Sequence, residues 1–120
     1  MDRWRAYPED RYERALCKII DDYADEALAK IAHSYMVEAR RPEGERDEKV
    51  LRERLQLLEE QLSHLDELLE GREYVFGRYT LADITLFSPL WTLDVKGGYE
   101  LIKKYENLSA WYERVKAKRG

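Results

Sequence analysis

Apolar positions recur every three or four residues over most of this chain, and polar punctuation cuts that pattern into helices. Pro8-Glu9-Asp10 reads as the first start, with proline at the first helical position and acids in the first turn. Tyr12, Leu16, Ile19, Tyr23, Ala27 and Ile31 then mark one helical face, widened by Ala15, Leu28 and Tyr35. The pattern runs to about Ala39, which predicts a helix about 45 Å long. Arg40-Arg41-Pro42-Glu43-Gly44-Glu45 breaks it as a loop. From about Asp47 to Glu70, Leu51, Leu55, Leu58, Leu62, Leu65 and Leu69 alternate steps of four and three. Leu57 and Leu68 broaden the stripe beyond a two-stranded seam, so this helix belongs in a bundle. Gly71 is its natural stop.

The third helix opens at Gly77-Arg78-Tyr79-Thr80-Leu81-Ala82-Asp83-Ile84. Thr80 and Asp83 have the spacing of a reciprocal capping box, and Tyr79 and Ile84 that of a hydrophobic staple. Leu81, Ile84, Leu86, Phe87, Leu90, Trp91, Leu93 and Val95 leave almost no polar face, so the helix is expected at the centre with neighbours around it. Pro89 inside it predicts a bend. After Gly97-Gly98 a short helix, about Tyr99 to Lys104, turns Leu101 and Ile102 inward. Asn107 then caps a last helix carrying Leu108, Trp111, Tyr112 and Val115. The expected architecture is an all-α five-helix bundle, with two long N-terminal helices and a buried central third. Residues 1–7 are a lead-in and 8–120 one domain.

Composition narrows the function. Charged residues at 38% and apolar residues at 44% suit amphipathic elements around one core. A net charge of −4 gives no general attraction to nucleic acid. Lys116, Lys118 and Arg119 complement the last helix end. No window reaches the ~20 apolar residues of a membrane span. Cys17 is the only cysteine, which fits a reducing, cytoplasmic setting. Mid-helix, beside the inward stripe, it reads as a buried, inert thiol. His33 and His64 lie on different helices. Glu60, His64 and Glu67 share a face but lack the further ligands of a metal set, so no metal is expected.

Three segments in order resemble the C-terminal helical domain of glutathione transferases: Pro8-x-Asp10-x-x-x-Arg14-Ala15 followed by Asp22-Tyr23; Gly77-x-x-Thr80-x-Ala82-Asp83-Ile84; and Tyr105-Glu106-Asn107-Leu108-x-x-Trp111-x-x-Arg114. The resemblance covers the chain from about Tyr7 onward. The family commonly has proline where Glu106 stands, and Pro89 looks omega- or tau-like. In the family a thioredoxin-like domain ahead of these helices holds glutathione and activates its thiol. Only seven residues precede Pro8 here, so no catalytic or glutathione-binding residue carries over. Glutathione is expected as a cofactor only where a thioredoxin-like half is present. The resemblance implies a domain that contributes a wall of the hydrophobic co-substrate pocket and part of a dimer surface. Tyr35, Met36 and Trp91 are the candidates for that apolar pocket, against plain core packing, which is the stronger reading for Trp91. Trp111 and Arg114 read as structural. The resulting expectation is a helical domain without its catalytic half, acting as an association module through self-association or a protein partner. The alternatives are a fragment or complement of a glutathione transferase, or a carrier of apolar small molecules.

Overall fold

The computed structural model describes residues 8–119; the expected lead-in, 1–7, lies outside them. Helix α1 (Arg11–Tyr23) passes through a π-helical turn (Ala24–Leu28) into α2 (Ala29–Ala39), making one long rod. A 3-10 turn (Glu43–Glu45) leads to α3 (Glu48–Leu68). The central α4 (Leu81–Leu93) is linked through a kinked segment (Asp94–Gly98) to α5 (Tyr99–Lys103), and α6 (Glu106–Arg119) closes the order. The described residues hold no strand. The described residues thus show four helical runs and a 3-10 turn where five helices were expected, because the third and fourth abut at a kink within Asp94–Gly98. Gly97, at φ 95°, changes the chain direction inside that junction. Gly98 permits close approach: a Cβ there would sit 2.9 Å from the Leu93 carbonyl oxygen. Regular α-helix runs through Pro89 without a break.

The caps differ from expectation in two places. Asp10, not Pro8, governs the first start, its Oδ1 accepting the Tyr12 N–H at 2.8 Å. Helix α6 begins at Glu106, and its Leu108 N–H is accepted at 2.9 Å by Asp66 of α3. Asn107 is therefore not the cap; its amide donates to the same carboxylate at 3.5 Å. Helix α3 starts as the pattern suggests, with Asp47 accepting from Lys49 and Val50 N–H.

The rod buries a face one residue later than the expected one. Its buried apolar positions are Cys17, Ala24, Leu28, Ala32 and Met36, whereas Tyr12 and Ile19 are 72% and 61% exposed. One residue is about 100° of rotation. Small side chains take the inward line where the rod approaches α4. Larger amphipathic ones fall on its flank, as with Tyr23, whose hydroxyl donates to Gln61 Oε1 of α3 at 2.7 Å. The core beneath is built from Leu58, Leu62 and Leu65 of α3 and Leu69 just past its end, Leu86, Phe87, Leu90 and Leu93 of α4, and Leu108, Trp111, Tyr112 and Val115 of α6. The Phe87 and Tyr112 rings stack at 4.9 Å. Burial and the Asp94 carboxylate, which accepts the Tyr112 hydroxyl at 2.6 Å, push that phenol far above its ordinary pKa.

Candidate functional site

The buried polar centre of the bundle is Asp83. It has no exposed surface, yet three donors converge on its carboxylate. Trp111 Nε1–H donates to Oδ1 at 2.8 Å, Val75 N–H to Oδ1 at 3.0 Å, and Thr80 N–H to Oδ2 at 2.9 Å. Burial pushes this carboxyl above its ordinary value; the three donors pull it back only in part. Thr80 and Asp83 stand in the capping-box arrangement, but its halves are unequal. The Asp83 N–H donates to the Thr80 carbonyl at 3.0 Å, while Thr80 Oγ1 is buried and makes no hydrogen bond of standard geometry. Tyr79 and Ile84 both rest half-buried against the core, with the Tyr79 ring edge-on to Tyr74 at 5.5 Å. Asp83 therefore ties the helix start, the preceding loop and α6 together. Arg114 anchors the same loop, donating to the Glu73 carbonyl at 2.7 Å and lying over the Tyr74 ring.

A second buried carboxylate, Glu38, was not singled out by the pattern. It faces Arg54 at 3.8 Å and Arg41 at 3.7 Å and accepts the Asp47 N–H at 3.1 Å, which clamps the α2–α3 connection. Its only local signal is Arg41 three residues on; the other partners arrive through the fold.

The three pocket candidates do not converge. Met36 lines a groove of about 260 Å³ between the rod and α4, together with Asp25, Ala29, Ala32, His33, Ser88, Pro89 and Thr92. Tyr35 packs half-buried against the core outside that lining. Trp91 is 47% exposed, so it is neither core nor groove lining; it stands three residues past Ser88, with Val95, 57% exposed, beyond it. The described residues consequently do not enclose the central helix on all sides. The π turn of the rod adjoins this groove and contributes Asp25 to it. Such turns recur at functional positions because they shift side chains off the regular helical register.

Cys17 is buried, and burial raises its thiol pKa, as expected for an inert thiol. His33 and His64 are both exposed, and no group of metal-ligating side chains is assembled among the described residues. A second apolar surface lies on the outer side of the bundle. Tyr12 and Ile19 share a stripe with Tyr23, and Leu57 (44% exposed) and Leu68 (40%) share one with Gln61. The Tyr23–Gln61 hydrogen bond links the two stripes at one point.

The helical order and the Asp83-centred start of α4 define a glutathione-transferase-type helical domain. The model of the glutathione S-transferase C-terminal domain family matches residues 17–118, and the chain belongs to that family. Among solved structures it is similar to a glutathione S-transferase from Methylobacillus flagellatus with glutathione bound (27% identity, TM-score 0.71, 90% of this chain and 54% of that one). It is also similar to the theta class enzyme of Xanthomonas axonopodis pv. citri in its apo form (26%, TM-score 0.74, 93% and 60%). A glutathione transferase from Burkholderia graminis, with two glutathione molecules per subunit, shares the fold at 20% identity (TM-score 0.78, 92% and 48%). The chain thus spans about half to three fifths of the length of these proteins. No helix among the described residues is long and apolar enough to cross a membrane.

Proposed function

We propose that this domain works by association: a second copy packs on the α1–α3 face, and a thioredoxin-like unit covers the α4 face around Trp91. The observation that carries this reading is the outer apolar stripe, with Tyr12 and Ile19 at 72% and 61% exposure on an otherwise charged rod. Exposed apolar side chains grouped on one face mark interaction surfaces, whereas scattered ones do not. A stable interface of this kind buries roughly 800 Å² on each partner. The helical domain supplies packing surface in this arrangement, and thiol activation belongs to the thioredoxin-like unit. Glutathione alone then finds no tight site on these helices. The single, buried Cys17 fits a cytoplasmic setting.

Light scattering across a concentration series tests the first contact. A dimer is expected, and Ile19→Asp should convert it to monomer without changing the circular dichroism spectrum, because Ile19 is outside the core. A wild-type chain that stays monomeric at high concentration refutes self-association. For the second contact, a thioredoxin-like domain titrated onto the chain should blue-shift the part of the tryptophan emission that Trp91→Phe removes. An unchanged spectrum counts against that contact.

A further inference from the structure

A groove of about 570 Å³ runs along α3, lined by Arg52, Leu55, Gln56, Glu59, Glu60 and Ser63. It lies away from the apolar stripe of the same helix. Each residue turns a helix by about 100°, so Arg52, Gln56 and Ser63 point roughly 100–140° away from Leu57. The α5–α6 corner borders it, with Lys104 pairing with Glu59 at 2.9 Å and the Tyr105 hydroxyl donating to the Glu59 carbonyl at 3.2 Å. Glu59 is thereby compensated. The other two charges of the groove, Arg52 and Glu60, are exposed, and their side chains form no hydrogen bond or ion pair among the described residues. They have opposite signs and stand about 12 Å apart along the helix axis. The Gln56 amide, also without an internal partner, lies midway, and half-buried Leu55 supplies the apolar floor.

A face with a cation at one end, an anion at the other and a carboxamide between them is complementary to itself. We propose that it pairs with the same face of a second copy, α3 antiparallel to α3 about a two-fold axis at Gln56. Each Arg52 then meets the Glu60 of the other copy. The two Gln56 amides, each both donor and acceptor, exchange N–H···O bonds across the axis. The signs select this arrangement, since parallel pairing would set Arg52 against Arg52 and Glu60 against Glu60. The contact uses no residue of the Tyr12–Ile19 or Leu57–Leu68 stripes, so it goes beyond the association proposed above and does not depend on it. Salt separates the two: exposed charges are screened, whereas apolar burial persists.

The test is an amide NMR dilution series with diffusion measurements on Ile19→Asp, which removes the apolar contact. At about 10 mM salt, where the screening length is about 30 Å, diffusion should slow with concentration and the shifts should move at Leu55, Gln56 and Ser63. At about 150 mM salt, with screening over about 8 Å, both effects should fade. Arg52→Glu and Glu60→Arg should each weaken the pairing about tenfold, because each sets like charges together at two symmetry-related places. Both residues are exposed and outside the core, so the fold is retained. Mixing the two variants restores opposite signs at both places and should recover the pairing to within about threefold. That recovery can only be intermolecular. No concentration dependence at low salt, pairing unmoved by either reversal, or a mixture no tighter than its components would each overturn the proposal. Pairing that Ile19→Asp removes and salt does not belongs instead to the α1–α3 face.

Discussion

Replacing Asp83 by alanine removes the acceptor for three donors at once. The donors left behind are Trp111 Nε1–H and the Val75 and Thr80 N–H groups, all around a carboxylate with no exposed surface. A buried donor without a partner costs about 1–3 kcal/mol. The simple sum is therefore about 3–9 kcal/mol, but two effects reduce it. Burying the carboxylate itself carries a desolvation penalty that alanine does not, in keeping with its raised pKa. Water entering the vacated space can also accept one or two of the N–H groups, at an entropy cost of about 0–2 kcal/mol each. A net loss of about 3–4 kcal/mol is the expected result, a large part of the ~5–15 kcal/mol that stabilises a typical domain. Urea denaturation followed by tryptophan emission reads this directly. With a slope of about 1–3 kcal/mol per M, the midpoint should fall by 1 M or more. Asp83→Asn retains Oδ1-type acceptance for Trp111 and Val75 but turns an NH₂ toward the Thr80 N–H, so a smaller drop is expected. If Asp83→Ala unfolds within about 0.3 M of wild type, less than 1 kcal/mol at that slope, the three hydrogen bonds are not what secures α4 and the reasoning fails.

Two further outcomes follow from the same geometry. Asp66→Ala should cost about 1 kcal/mol, the usual worth of a helix cap, and should speed amide exchange first in the opening turn of α6; unchanged exchange at Leu108 would contradict the cap. The raised Asp83 carboxyl means that the folded state binds its proton more tightly than the unfolded chain, so its contribution is fully present below the unfolded value of 3.8 and is lost as pH rises through the folded value. The stability of wild type relative to Asp83→Asn should therefore decline as pH climbs above 3.8, and a flat difference would exclude the shift.

Periodicity located the helices because each needs only its own apolar spacing, and the family motifs were legible because Thr80, Asp83, Trp111 and Arg114 stand at fixed short offsets. The candidate site was less legible. Met36 was placed in a groove, but Trp91, which the residue type alone assigns to a core, is exposed because no helix among the described residues covers that side of α4. Asp25 carried no signal, since an acid on a helix face is ordinarily solvated; only the approach of Ser88 and Thr92 from α4 makes it a groove residue.

What the chain determined by itself is local: helix spans, the Asp10 and Asp47 caps, the stop near Gly71 and the Asp83-centred start. Each depends on atoms within a few residues of one another. Which face of the rod turns inward, that Asp66 caps a helix some 40 residues away, and that Glu38 clamps a loop were decided only by the tertiary structure. A broad apolar face permits several rotations about the helix axis, and close packing against α4 selects the one with small side chains inside.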